Sequence, residues 1–279
     1  MGAACGRPGP IRSRATAVAR VLAYLSALAL ASAAAATPQS GPINSNDALR
    51  VSEAAIGRQL PAATLVDQHG RVLELASLRG RPLVLNFVYT SCAFVCPTLT
   101  AHLKDVVRVG RDALGANSFN VLTVGFDTRV DTPQRMAQFA RERGIDLPGW
   151  YFASGDSTTI GALAAAAGFQ FAPQTGGFDH VAQVTIVDPE GRVYRQVYGP
   201  DFEPPLLVDP LKNLLLGATR SEPPTTRWLT TVRLLCSAYD PRSGRYRFDY
   251  SLIVEIAIGL LCTIGVGLFI IRAWNQGRP

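Results

Sequence analysis

Cys92 and Cys96 stand four residues apart where an apolar run gives way to a helical pattern, and no other pair of reactive side chains in the chain is so placed. Backbone N–H groups and the positive end of a helix favour an anion at such a corner, so the pair is expected to be partly thiolate. At 100° per residue, helical positions i and i+4 differ by about 40°, which turns both sulphurs the same way. A pair of this kind forms a disulfide or the two-sulphur edge of a metal site. Thioredoxin-type oxidoreductases use C-x-x-C, so the extra residue tilts the reading toward metal binding, with a structural disulfide as the open alternative. His180, in Asp179-His180-Val181, comes just before a strand-like run and offers a third group. Two thiolates and an imidazole make a soft, incomplete ligand set that selects Cu(I) or Zn and leaves a position open for transfer. Asp179 either orients that imidazole or serves a turn. His69, in the turn-like Asp67-Gln68-His69-Gly70, and His102, beside an apolar helix stripe, have no such company.

These residues need a scaffold, and the pattern around them alternates strand and helix. The run from Arg81 to Tyr89 reads as a strand buried on both faces, ending in Thr90-Ser91-Cys92. Pro97 suits a first helical turn, and Leu99, Leu103, Val106 and Val107 recur at helical spacing to about Leu114. A strand over Phe119 to Phe126 follows, then a helix opened by Asp131-Thr132-Pro133, with Asp131 as a capping residue and Gly144 as the stop. Trp150 to Ala153 is a short strand, and Ser157 to Ala167 an Ala-rich helix ended by Gly168. Val181 to Val187 and Arg192 to Tyr198, joined by Asp188-Pro189-Glu190-Gly191, read as a β-hairpin, and Leu206 to Leu216 as the closing helix. Crossover units followed by a hairpin give an α/β chain with a thioredoxin-like mixed sheet and helices on both faces.

The 279 residues are 48% hydrophobic and 17% charged, which excludes a disordered chain. Arg7, Arg12, Arg14, Arg20, Arg272 and Arg278 account for the whole net charge of +6, so residues 47–271 are formally neutral. A neutral body has no electrostatic footprint for nucleic acid. The acid-free, Arg-containing start and an apolar run to Ala34-Ala35-Ala36 read as a signal peptide over 1–36, which would carry Cys5 away. A tether over 37–46, the folded domain over 47–220 and a juxtamembrane linker over 221–251 follow. Leu252 to Ile271 carries a single charge, Glu255, and is expected to be a C-terminal transmembrane helix, with a cytoplasmic tail over 272–279. Tyr239, Tyr246, Phe248 and Tyr250 suit an interfacial aromatic belt, and Cys236 is a third thiol there without an assigned partner. The expected place is the bacterial inner membrane, single-pass, with the domain on the periplasmic side; a leader of this kind also suits the mitochondrial intermembrane space.

The ordered set Asn86-Phe87-Val88-Tyr89-Thr90-Ser91-Cys92-Ala93-Phe94-Val95-Cys96-Pro97, then Asp127, Asp131-Thr132-Pro133, Asp179-His180 and Asp188-Pro189-Glu190-Gly191-Arg192, resembles the Sco/SenC family over about residues 50–216. The family consists of membrane-tethered, thioredoxin-fold copper proteins. The resemblance implies that Cys92, Cys96 and His180 bind copper, as Cu(I) and with His180 also as Cu(II). It further implies delivery to the dinuclear copper centre of cytochrome c oxidase subunit II, or reduction of cysteines in that subunit or another envelope protein. On this reading the chain is a metallochaperone rather than an enzyme, with other envelope copper carriers or thiol reductants as further partners. Two departures stand out: Ala93 and Phe94 replace the Pro and Asp common between the cysteines, and the anchor is C-terminal where many members have it N-terminal.

Overall fold

Asn44 opens the folded body. Its side-chain oxygen accepts the Asn46 amide at 3.0 Å and caps α1 (Ser45–Glu53), a helix that begins inside the stretch read as a tether. The short antiparallel pair β1 (Thr64–Asp67) and β2 (Val72–Glu74) follows, joined through the Asp67 to Gly70 turn, and a 3-10 turn spans Leu75–Leu78. β3 (Leu83–Val88) leads into α2 (Val95–Leu114), and β4 (Asn120–Gly125) into α3 (Pro133–Glu142). β5 (Trp150–Ser154) and α4 (Ser157–Ala166) come next, with the Asp156 carboxylate capping α4 through the amides of Thr158 and Thr159, both at 2.9 Å. Two hairpins, β6 (Phe171–Gln174) with β7 (Gly177–His180) and β8 (Gln183–Val187) with β9 (Val193–Tyr198), precede α5 (Pro204–Ala218). The chain divides into two units, residues 1–40 and 41–279, and every element described lies in the second.

The seven-stranded sheet runs β2-β1-β5-β4-β3-β8-β9. Its centre, β5-β4-β3, is parallel, while β1 and β8 join antiparallel. β3, β4 and β8 are buried at every position, so helices or loops cover both faces of the centre, as a sheet of crossover units requires. α2 supplies part of that cover through Leu99, Leu103, Val106 and Val107, all under 3% exposed. Gly110 lets α5 approach: a Cβ there would already touch Phe119 and Val208 at 3.4 Å. This mixed α/β sheet is the thioredoxin-like arrangement the pattern predicts.

The computed structural model describes, besides Gly2, residues 43–218, 237–241, 243–248 and 251–276. The signal peptide with Cys5, the linker over 221–236 with Cys236, Tyr250 and the last three residues of the tail fall outside the described residues. A hairpin of β10 (Ser237–Asp240) and β11 (Arg245–Phe248) lies against the domain, with the Tyr246 hydroxyl donating to Asp209 at 2.7 Å. Tyr246 therefore has a partner within the domain. The expected span falls within α6 (Ser251–Gln276), whose side chains are described without a break only over 254–270. Among the described residues no helix is long and apolar enough to cross a membrane.

Candidate metal centre

β3 and α2 place the two thiols, and they do so differently from a shared helix face. α2 begins at Val95, so Cys96 is its second residue while Cys92 lies three residues ahead of it, in the loop. The Phe94 side chain gives the helix no cap. The Cys92 sulphur takes that place, accepting the Cys96 backbone N–H at 3.4 Å. Cys92 is half-buried, Cys96 is 1% exposed, and both are free thiols. Burial pushes the Cys92 thiol up, but the amides of Cys96 and Phe94, the Tyr89 hydroxyl and the Cys96 thiol outweigh it and leave the pKa below its ordinary 9.0. Burial dominates at Cys96 and pushes that thiol well above the ordinary range, with the adjacent Cys92 adding to the shift.

His180 arrives from a hairpin that sequence periodicity did not disclose. β6 and β7 pair from Gln174–Gly177 to Phe171–His180, so the imidazole ends a strand instead of sitting in a loop. Phe171 and Phe178 pack on Phe126 with ring centroids 4.6 and 5.2 Å apart, and Phe126, Phe169 and Tyr89 surround the imidazole at 5.7 to 5.9 Å. His180 Nδ1 lies 3.2 Å from the Val181 carbonyl. A carbonyl only accepts, so Nδ1 carries the proton in this contact and Nε2 keeps its lone pair. That Nε2 lies 3.9 Å from Cys96 Sγ. The separation suits two ligands of one soft ion, since bonds of about 2.3 Å to sulphur and 2.0 Å to nitrogen put trigonal ligands roughly 3.7–3.9 Å apart. Burial lowers the His180 pKa, which keeps the ring neutral and available as a donor. Among the described residues no group of three or more His, Cys, Asp or Glu is drawn together as a preformed metal cage. The close pair is Cys96 with His180, with Cys92 joined to it through the Cys96 amide.

The expected role of Asp179 is not the one observed. Its carboxylate accepts the Ile43 amide at 2.9 Å and reaches His180 only through its charge. Asp131 is corrected in the same way. Thr132, not Asp131, caps α3 by accepting the Arg135 amide at 3.3 Å. Asp131 turns inward, is 1% exposed, and holds Thr90 and the Asp127 amide instead. Burial raises its pKa, against the hydrogen bonds from Thr90. Tyr89 is a site residue that sequence reasoning passed over. It is 8% exposed, and burial together with the neighbouring Cys92 pushes its hydroxyl up to about 12. His69 and His102 stay apart from this cluster, His102 lying 2.6 Å from the Phe202 carbonyl.

The SCO1/SenC family model matches residues 58–215, more than half of the chain and all of the elements that build this corner. The chain belongs to the SCO1/SenC family. Among SCO1/SenC relatives, the SCO1 protein homolog of Bacillus subtilis (strain 168) is 27% identical over 147 residues, 50% of this chain and 74% of that one. A Stutzerimonas stutzeri protein described as copper-binding is 25% identical over 163 residues, 57% of this chain and 76% of its own. A solved protein of Aquifex aeolicus VF5 is 31% identical with a TM-score of 0.53, covering 58% of this chain and 95% of that one. The SCO1/SenC match stops at residue 215, so the β10–β11 hairpin and α6 lie beyond it.

Proposed function

We infer that the chain is a copper carrier in which the Cys92 and Cys96 thiolates hold Cu(I) and His180 Nε2 completes the site. The observation that carries this is the 3.9 Å approach of His180 Nε2 to Cys96 Sγ, with Nδ1 committed to the Val181 carbonyl. Thiolates select a cuprous ion, and a neutral imidazole adds a ligand that also suits Cu(II). The copper-binding description of the Stutzerimonas stutzeri relative supports the same cargo. The acceptor is the dinuclear copper centre of cytochrome c oxidase subunit II. The protein is held in the bacterial inner membrane by residues 252–271, with the domain on the periplasmic side. α6 supports that anchor through Ile256, Leu261, Ile264, Leu268 and Phe269, all at least 49% exposed. A test is copper stoichiometry of the reduced full chain in detergent, loaded anaerobically with Cu(I), beside His180→Ala. About one copper per chain, held less tightly by the variant, is the expected result; equal retention removes His180 from the ligand set.

The asymmetry of the thiols favours a second reading, reduction of a partner's disulfide. Cys92, with the lowered pKa, would attack one sulphur of that disulfide and release a partner thiolate. Buried Cys96 would then attack the mixed disulfide, release the second thiolate and leave the Cys92–Cys96 disulfide. Such turnover survives loss of His180, whereas copper is held less tightly without it.

A further inference from the structure

One element grips the chain on both sides of His180. The Asp179 carboxylate, just before it, accepts the Ile43 amide at 2.9 Å. Gln183, just after the connection Val181-Ala182, accepts the Ser52 hydroxyl on Oε1, also at 2.9 Å. Ile43 and Ser52 stand at the two ends of α1, which therefore bridges the stretch that carries the imidazole. α1 ends before residue 58, where the SCO1/SenC match starts. The grip at the Ser52 end is a polar network in which Ser52, Gln183 and Gln196 are all buried. Gln196 Nε2 donates to the carbonyls of Ser52 and Ala167 at 3.2 and 3.0 Å, and Gln183 Nε2 to that of Ala167 at 3.2 Å. The Tyr198 hydroxyl lies 2.9 Å from Ser52 Oγ. Gly168 permits the close approach: its φ is +69°, and a Cβ there would fall 2.8 Å from the Ser52 Cα. The next residue, Phe169, is one of the rings around the imidazole. Apolar contacts tolerate sliding, whereas buried polar groups must each meet a partner, so this network admits α1 in one register.

We propose that α1 is a brace for the metal centre, with Ile43 and Ser52 as positioning residues that clamp Asp179 and Gln183 and so fix where His180 Nε2 stands relative to Cys96. β6 and β7 form a two-stranded sheet of their own, separate from the seven-stranded one, and a lone hairpin has little stability without such support. This rests on the reading of His180 as a ligand.

The test compares the reduced, metal-free full chain in detergent with Ile43→Pro, which deletes the amide that Asp179 accepts, and Ser52→Ala, which deletes the hydroxyl that Gln183 accepts. Amide hydrogen exchange across 177–182 should rise about fivefold in each variant, the effect of one lost hydrogen bond, and stay unchanged in β3 and β4. Nitrogen-15 spectra at about pH 8, where the ring is neutral, should show the His180 proton on Nδ1 in the wild type and shared between both nitrogens in the variants. A helix that merely stabilised the fold would leave that ring signal alone. Ring signals that match the wild type in both variants overturn the brace, whatever the exchange shows. In the Cu(I)-loaded protein, a competing Cu(I) chelator should strip metal faster from Ser52→Ala than from the wild type. The Ser52→Ala/His180→Ala pair should be no faster than His180→Ala alone, because the brace acts through His180. Additive effects in that pair overturn the proposal. Should the wild type bind no copper, the carrier reading fails while the ring signals still decide the brace. A Ser52→Ala chain whose β3 and β4 exchange also rises has lost the fold, and Ile43→Pro then decides alone.

Discussion

One carboxylate oxygen of Asp131 accepts both the backbone N–H of Thr90, at 2.8 Å, and the Thr90 hydroxyl, at 2.7 Å. The other oxygen accepts the Asp127 amide at 2.9 Å. The loops after β3 and β4 are thus tied by the single buried side chain of Asp131, which grips the first of them at Thr90, two residues upstream of Cys92. Gly125 makes room for it, since a Cβ there would fall 2.5 Å from the Asp131 Cβ. Asp131→Ala is expected to destabilise the chain by about 2–4 kcal/mol, because three donors lose their acceptor in or near the core. Denaturant unfolding measures this, and a loss under about 0.5 kcal/mol would show that the tie is dispensable.

The two thiols should label in sequence. Iodoacetamide on the reduced, metal-free chain at neutral pH is expected to modify Cys92 well before Cys96. Cys92 is the more open thiol and titrates below its ordinary 9.0, while Cys96 is 1% exposed and titrates above it. Peptide mass spectrometry against time separates the two. Equal rates would mean that the corner does not distinguish them.

Acid should weaken the fold through Asp67. Its carboxylate is 2% exposed and accepts the His69 and Arg71 amides at 2.8 and 2.9 Å and the Arg71 side chain at 2.9 Å. Burial pushes its pKa up, but these bonds overcome that and hold it below its ordinary 3.8. A folded pKa below the unfolded one gives stability that is present above the unfolded value and is lost as pH falls through the folded one. Asp67→Asn should therefore cost about 1–2 kcal/mol at neutral pH and progressively less below pH 4. Thermal unfolding of both proteins from pH 7 to pH 3 checks it, and a constant gap across that range would refute the assignment.

Phe94, which stands between Cys92 and Cys96 in the chain, is 77% exposed. Phe94→Asp is expected to leave unfolding within about 0.5 kcal/mol of wild type, since the ring buries little. A larger loss in a denaturant titration would mean that the ring packs where it is now open.

The elements legible in the sequence are those fixed by local pattern. The strand read over 81–89 is β3, Leu83–Val88, and the helix read from Pro97 to Leu114 is α2, Val95–Leu114, because unbroken apolar runs and a 3.6-residue stripe are local signals. The β6–β7 hairpin escaped because its strands are four residues long, half-buried, and include Pro173, which argues against a strand. Thr175-Gly176-Gly177 between Phe171 and Phe178 was the available signal. Asp131 was misread because Asp and Thr are both good caps and sit side by side, while the partner that claims the Asp, Thr90, is 41 residues away. The shared helix face assumed for Cys92 and Cys96 failed for a different reason: nothing in Cys92-Ala93-Phe94-Val95 states on which residue the helix begins.

The Ile43 amide, bonded to Asp179, makes the start of the folded body a neighbour of the imidazole. Where the leader is trimmed, or where a purification tag is fused, is therefore a choice about the site itself. Two preparations of this domain that begin on either side of residue 43 should be treated as different metal-binding proteins until their affinities have been compared.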